Sequence, residues 1–331
     1  MRTHHMTDSL THQWTSYHFR AMGSHISVWL ETDEERVAQM AFAEVQRLFA
    51  RFEQIFSRFL PNSELSRVNE CAGEWIVVSS LFWQVLEQAL VLAEETEGVF
   101  DPTLLRELET AGYDRSFELL SMSVPSVSTP FSLIEQPVSA HRWRSIERDE
   151  ARRAIRLPKG MGLDLGGIVK GVCAETAVSH LSLWGACLID AGGDLVAGDP
   201  PVAYTGWPVS VARPTRSPDA PEQDLVTLWL ANATLATSGT DYRHWQRNGR
   251  LYHHIIDPRT GEPANSDAIT ATVCAPSAAR AEAWATASLV LGLKQGAEQL
   301  AWQGLPGLLI SQDGLMAFTP QMYTLVQFAN T

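Results

Sequence analysis

Three groups of residues in this sequence have the types and spacing to do chemistry. The first lies in Ser238 to Pro263, SGTDYRHWQRNGRLYHHIIDPRTGEP, where His253 and His254 stand just before an Asp257-Pro258 stop. A histidine titrates near neutrality and suits the removal of a proton from a hydroxyl. On a strand the two rings point to opposite faces, so at most one looks into a given pocket. A histidine so placed is also commonly a hydrogen-bonded structural residue. The second group is Met161 to Gly171, MGLDLGGIVKG, a glycine-rich turn feeding a helix. Free N–H groups and the positive end of a helix dipole there favour phosphate. It is not a Walker motif, because Ile168 and Val169 precede Lys170 and Gly171 replaces the hydroxyl residue. The third pairs Glu282 with Thr286 on a helix carrying Ala279, Ala281, Ala283, Ala285 and Ala287. A carboxylate and a hydroxyl four residues apart share a face, and among small residues they suit a hard cation such as Mg²⁺. The alternative is a solvated Glu above a helical Thr.

The elements that must position these groups are legible in the periodicity. Trp14 to Leu30 reads as a strand or hairpin broken at Ala21-Met22-Gly23-Ser24, either a bulge or a place where backbone meets a ligand. Glu34 to Arg58 is an amphipathic helix with Val37, Ala41, Val45, Leu48, Phe52 and Ile55 on its apolar stripe, and Pro61 stops it. Ser63 caps a short turn through Val68, and a helix from about Leu81 to Thr96 follows Ser79-Ser80. His141 to Pro158 reads as a hairpin, and the glycine-rich turn feeds a helix to about Trp184. Strands follow at Ala186–Ile189, Leu195–Ala197, Trp207–Val211, Leu225–Leu230 and Thr270–Cys274, the first two turning at Asp190-Ala191-Gly192-Gly193-Asp194. Asn248-Gly249 marks a hairpin tip leading into a run from Leu251 to Ile256. The alanine-rich helix spans Ala278 to Leu291, and a closing hairpin turns at Asp313-Gly314.

The chain has 331 residues and a formal net charge of -13, so nucleic acid and anionic membranes are repelled as main partners. No apolar run is long enough to span a bilayer. Cys71, Cys173, Cys187 and Cys274 are widely spaced without a CxxC pair, which argues against a zinc knuckle or disulfide framework and fits a reducing compartment. The expected organisation is a polar tail over 1–15 and one domain over 16–325, interrupted by a Ser- and Pro-rich linker or insertion at 118–140.

Taken in order, AMGS (21–24), SRFLPNSELSRVN (57–69), GVFDPT (98–103), LDLGGIVKG (163–171), DAGGDL (190–195), ATSGTDYR (236–243), HIIDPRTGEP (254–263) and AEAWATAS (281–288) resemble the ApbE family of FAD:protein FMN transferases. The resemblance covers nearly the whole chain from about residue 18 to 318. It implies an α+β fold of two intertwined α/β subdomains with mixed, largely antiparallel sheets and one FAD site between them. It also implies a Mg²⁺-dependent transfer of FMN from FAD to a Thr or Ser hydroxyl of an acceptor flavoprotein, with AMP leaving. An FAD pyrophosphatase and a non-catalytic FAD-binding protein are the alternatives.

Carried over residue by residue, the resemblance gives Gly167 a carbonyl on the metal and Glu282 and Thr286 its side-chain ligands. Lys170 falls near the cofactor phosphates or adenosine, and His254 becomes the base on the acceptor hydroxyl, with Asp257 beside it in the catalytic set. Met22, Gly23, Ser24, Phe59, Asp101, Thr103, Asp164, Ser238 and Asp241 line or brace the FAD site together with Lys170 and His254. Two departures stand out: Glu282 where the family usually has Asp, and Phe59 where it commonly has Tyr. Many relatives are exported lipoproteins, and this chain shows no signal or lipid-anchor Cys, so a cytoplasmic location is expected.

Overall fold

The structure, a computed structural model, describes residues 14–117, 120, 141–215, 223–247 and 249–326. The linker expected at 118–140 therefore lies outside the described residues apart from Leu120, as does the expected tail up to residue 13; Trp14 already belongs to a strand. The helices in chain order are α1 (Glu35–Phe56), α2 (Glu64–Glu70), α3 (Ser80–Glu95), α4 (Leu105–Thr110), α5 (Val169–Leu181), α6 (Ala278–Leu291) and α7 (Leu293–Trp302). The chain divides into two compact units, the first from the described parts of 1–53, 167–242 and 266–331, the second from 54–166 and 243–265.

The first unit is built on an eight-stranded sheet: β1 (Trp14–Ala21), β2 (Ser24–Glu31), β3 (Cys187–Ala191), β4 (Leu195–Ala197), β5 (Ala233–Gly239), β6 (Ala268–Ala275), β7 (Gly307–Ser311) and β8 (Met316–Phe318). Its strands lie side by side in chain order and every pairing is antiparallel. Strand alternation sorts the residues of β5 between the two faces. Leu235 enters a core with Leu188, Leu195, Trp207, Leu308 and Ile310, to which the hairpin Trp207–Ala212/Asp224–Leu230 contributes. Ala236 and Ser238 point the other way, toward α6, which packs over β5 and β6. The alanine comb explains that approach. All five alanines are buried, so α6 lies close to the sheet and beside α5.

In the second unit Ser63 and Ser79 are true caps: their Oγ atoms accept from Ser66 N–H at 2.9 Å and Phe82 N–H at 3.2 Å. Helix α3 buries Phe82, Val85, Leu86, Ala89 and Ala93. A three-stranded sheet orders Ile76–Val77, Ala154–Arg156 and Glu147–Asp149. A second core joins Leu104, Leu108 and Ala111 to Ile256, with Tyr113, Trp245 and Tyr252 against it.

Three expectations shift in register. The buried stripe of α1 runs through Ala38, Ala41, Phe42, Val45, Phe49, Phe52 and Phe56, so aromatic positions carry it where Val37, Leu48 and Ile55 were expected. Large rings reach cores on both flanks of the nominal stripe. Helix α5 ends at Leu181 rather than Trp184. Gly185 then takes φ +159°, and a Cβ there would stand 2.2 Å from the Glu31 carbonyl oxygen. The run Leu251 to Ile256 is not one strand, since pairing stops at His253. Among the described residues no helix is long and apolar enough to cross a membrane.

Asn69 closes the second unit around the segment that carries Asp164. Its amide donates to the Leu163 carbonyl at 2.9 Å and accepts from Leu163 N–H at 2.7 Å, and the residue is buried. Asn69→Ala would strand both backbone groups, so a loss of about 2–4 kcal/mol is expected from two unsatisfied buried groups. Urea unfolding of the variant measures it; a midpoint within error of wild type would show the bracket to be energetically idle.

Candidate functional site

In the first unit, motifs far apart in sequence meet in one hydrogen-bonded network. It starts at the N-terminus of α5, whose first N–H groups lack intrahelical acceptors. Gly171 N–H donates to Glu282 Oε2 at 3.1 Å. A Cβ on Gly171 would lie 2.5 Å from that same oxygen, so only glycine admits the carboxylate. The other oxygen, Glu282 Oε1, accepts from Lys170 Nζ at 3.1 Å, and the ammonium also donates to Asp194 Oδ2 at 3.1 Å. Asp194 Oδ1 accepts from Thr237 N–H at 3.2 Å, and the next residue, Ser238, shares a 3.0 Å hydroxyl contact with Thr286. Glu282 and Thr286 are one helical turn apart, so α6 presents both to this network. The solvated-Glu alternative is overturned, because Glu282 is only 4% exposed.

The turn carrying Asp194 also meets the first hairpin. Gly192, at φ +74°, has no room for a Cβ beside Ser24, whose Oγ would be 2.8 Å away. Asp190 Oδ1 accepts from Gly193 N–H at 2.7 Å and holds the turn. Met22 and Gly23 both adopt positive φ, 51° and 64°, between the paired Ala21 and Ser24. This is the two-residue hairpin geometry that matches strand twist, with Met in a conformation that asparagine or glycine usually supplies. The expected bulge at this break is thus a tight hairpin turn. Asp241 is buried close against Gly239, where a Cβ would meet its Oδ1 at 2.6 Å. Gly167 lies exposed just ahead of α5.

Two buried acids facing one ammonium leave an excess of negative charge. Burial pushes the Glu282 carboxyl above its ordinary range, against the downward pull of Lys170, so either a proton on Glu282 or a further cation answers that excess. Among the described residues no group of three or more His, Cys, Asp or Glu is arranged to hold a metal. A cation would therefore rely on hydroxyl and carbonyl oxygens beside the carboxylate, the hard donors that Mg²⁺ prefers. The charge excess and the donor types fit such an ion.

The second unit holds the other expected residues. Asp101 Oδ1 accepts from Thr103 N–H at 2.8 Å and from its hydroxyl at 2.6 Å. Arg142 donates to the Thr103 carbonyl at 3.0 Å and to Glu107 at 2.8 Å. Asp164 accepts from Gly166 N–H at 2.7 Å and pairs with Arg58 Nε at 2.8 Å. The Arg58 guanidinium lies 4.2 Å from the ring centre of Phe59 and 4.6 Å from that of Tyr113. Tyr113 in turn meets Trp245 at 5.6 Å and His254, edge-on, at 6.3 Å. Phe59 and His254 thus belong to one aromatic surface, with Phe59 38% exposed.

The two histidines have different surroundings. His253 Nδ1 accepts from Ile255 N–H at 3.3 Å, which leaves Nε2 to donate to the Ala264 carbonyl at 3.0 Å. That bonding ties His253 into the strand end as a structural residue. His254 lies just past the strand end, half-buried against Tyr113. Asp257 is tied into its own turn, accepting from Arg259 N–H and Nε at 2.9 Å and from Nη2 at 2.7 Å.

Sequence reasoning left Asp194, Gly171, Arg58 and Tyr113 without roles. Asp194 and Gly171 stand inside quoted motifs, so their position was the available signal. Arg58 also stands inside one, whereas Tyr113 had no such signal, since its contact with Arg58 joins positions 55 residues apart in sequence.

The sequence model described as the ApbE family matches residues 22–309. An FAD:protein FMN transferase of Treponema pallidum (strain Nichols) is 31% identical over 293 residues, 82% of this chain and 77% of that protein. Another, of Klebsiella pneumoniae (strain 342), is 26% identical over 86% of this chain and 85% of its own. Among solved structures, the ApbE protein of Thermotoga maritima aligns with a TM-score of 0.81 at 22% identity, over 96% of this chain and 100% of its own. The apo flavinyl transferase ApbE of Pseudomonas stutzeri aligns at 0.77 and 20% identity, over 98% of this chain and 100% of its own.

Burial raises the Asp101 carboxyl above its ordinary 3.8, with the Thr103 hydrogen bonds opposing. A raised folded-state pKa contributes stability below the unfolded value, and that contribution is lost as pH rises through the folded value. Wild-type stability should therefore decline from pH 3.8 upward relative to Asp101→Asn, which keeps an acceptor for Thr103. Urea midpoints across that window check it; parallel profiles would remove Asp101 as the source.

Proposed function

Because the chain belongs to the ApbE family, we propose that it transfers FMN from FAD to a Thr or Ser hydroxyl of a target flavoprotein through a phosphoester bond, in a Mg²⁺-dependent reaction releasing AMP. It is an enzyme of the FAD:protein FMN transferase class, acting on FAD and a protein acceptor. The observation that best supports the finer reading is the Lys170–Glu282 contact, which joins the glycine-rich turn and the alanine-rich helix across 112 residues.

The chemistry needed is displacement at the FMN phosphorus. The acceptor hydroxyl oxygen forms a new bond to that phosphorus, the bond to the bridging oxygen breaks, and AMP leaves with that oxygen. The hydroxyl proton must go to a base, and we assign that role to His254, the half-buried imidazole beside Tyr113 in the HIIDPRTGEP motif. Lys170, already among buried carboxylates, supplies positive charge for the phosphate oxygens on which charge builds. Phe59, backed by Arg58 and Tyr113, offers a face for a planar ring system. Glu282 and Thr286, with the Gly167 carbonyl, would hold Mg²⁺, which when bound supplies charge stabilisation to the diphosphate. Asp101, Thr103 and Asp164 shape their loops through backbone hydrogen bonds, and Met22, Gly23, Ser24, Ser238 and Asp241 are the further residues we assign to FAD.

Incubation with FAD, Mg²⁺ and a candidate acceptor flavoprotein should add the mass of one FMN to the acceptor. Free FMN with an unmodified acceptor would instead establish a pyrophosphatase. His254→Ala should keep FAD binding but lose transfer by about 10²–10⁴-fold, the usual contribution of a positioned base; near-normal transfer would take His254 out of that role. Glu282→Ala should weaken activity and the Mg²⁺ requirement together, and Glu282→Asp should retain both. A metal titration unchanged in Glu282→Ala would place the cation elsewhere.

A further inference from the structure

Each oxygen of Glu282 accepts one hydrogen bond. Oε2 accepts from Gly171 N–H and Oε1 from Lys170 Nζ, each at 3.1 Å. A carboxylate oxygen keeps a second lone-pair direction, so a cation on this carboxylate would share an oxygen with one of these donors and crowd its positive charge against the ammonium. The Gly171 N–H is part of the backbone of α5 and cannot leave without unwinding its first turn. The ammonium sits on a flexible four-carbon stem and has a second acid, Asp194 Oδ2, also at 3.1 Å. Asp194 is itself held by Thr237 N–H at 3.2 Å and is buried, so it stays where it is.

We propose that the Lys170 ammonium and the divalent cation compete for Glu282, so that Lys170 is the resident counter-ion of the cation-free protein and moves wholly to Asp194 when the cation arrives. This rests on the reading of Glu282 as a cation ligand. The competition is electrostatic as well as steric, since a monovalent and a divalent positive charge repel within a poorly solvated site. It also gives Lys170 its timing: the donor released from Glu282 becomes available to a phosphate oxygen once the cation is present. By linkage, cation and dinucleotide then favour each other's binding.

The test is calorimetric titration of MgCl₂ into EDTA-stripped full-length protein without FAD. Lys170→Met removes the competitor but raises the local negative charge, and two unpaired buried acids threaten folding. Lys170→Met/Asp194→Asn removes one charge of each sign and leaves the net charge of the trio at its wild-type value. This double variant should bind Mg²⁺ at least about fivefold tighter than wild type, the lower end of ordinary coupling between sites. Equal or weaker binding would mean that Lys170 orients Glu282 for the cation instead of opposing it, and the proposal fails.

A second measurement needs no variant. The chain has three lysines, Lys159, Lys170 and Lys294, so ¹⁵N-lysine labelling gives an assignable side-chain spectrum. Mg²⁺ should move the Lys170 signal and leave the other two in place; a Lys170 signal unmoved at saturating Mg²⁺ overturns the proposal. Wild-type protein that transfers FMN yet shows no Mg²⁺ isotherm would remove the cation assignment itself, an outcome distinct from a wild-type isotherm that the double variant does not improve.

Discussion

A half-buried ammonium between two buried carboxylates is the constraint from which the first unit's arrangement follows. Removing any of these three charges from water costs several kcal/mol unless partners are close and well oriented. Lys170, Asp194 and Glu282 meet that demand only if α5, the turn after β3 and α6 converge to hydrogen-bonding distance. Gly171 is the steric condition for that convergence, because its missing Cβ is what lets Glu282 reach the helix N-terminus. The alanines of α6 are the packing condition, since bulkier side chains would hold the helix away from β5 and β6.

The second unit meets its polar demands differently. Its loops are held by short side chains turned onto nearby backbone: Asn69 on Leu163, Asp101 on Thr103, Asp164 on Gly166 and Asp257 on Arg259. Such bonds satisfy N–H groups that neither helix nor strand can pair and fix loop shape at small cost in chain entropy. Rigid loops of this kind give the aromatic group of Phe59, Tyr113, Trp245 and His254 a defined platform.

The adjacent histidines show how one residue of displacement decides between structure and chemistry. His253 is the last residue of its strand, and its two nitrogens are spent on Ile255 and Ala264. His254 begins the departure from the sheet, so its ring faces the aromatic group instead. Strand alternation gave the correct conclusion that the rings separate, although the strand ends between them.

Local rules in the sequence determined a good deal here. Serine caps at Ser63 and Ser79 and the four-residue spacing of Glu282 and Thr286 depend on neighbours within a few positions. The order of the motifs carried the family resemblance, and the family match over 22–309 agrees with it. Tertiary structure alone decided which partner each buried group takes. That Glu282 is desolvated against Lys170, that Asp194 shares the ammonium, and that Arg58 lies over Tyr113 are contacts between positions separated by 24 to 112 residues. Spacing along a helix tells which residues share a face but not what faces them, because that depends on how close two backbones come, and here the missing side chain of Gly171 sets that distance.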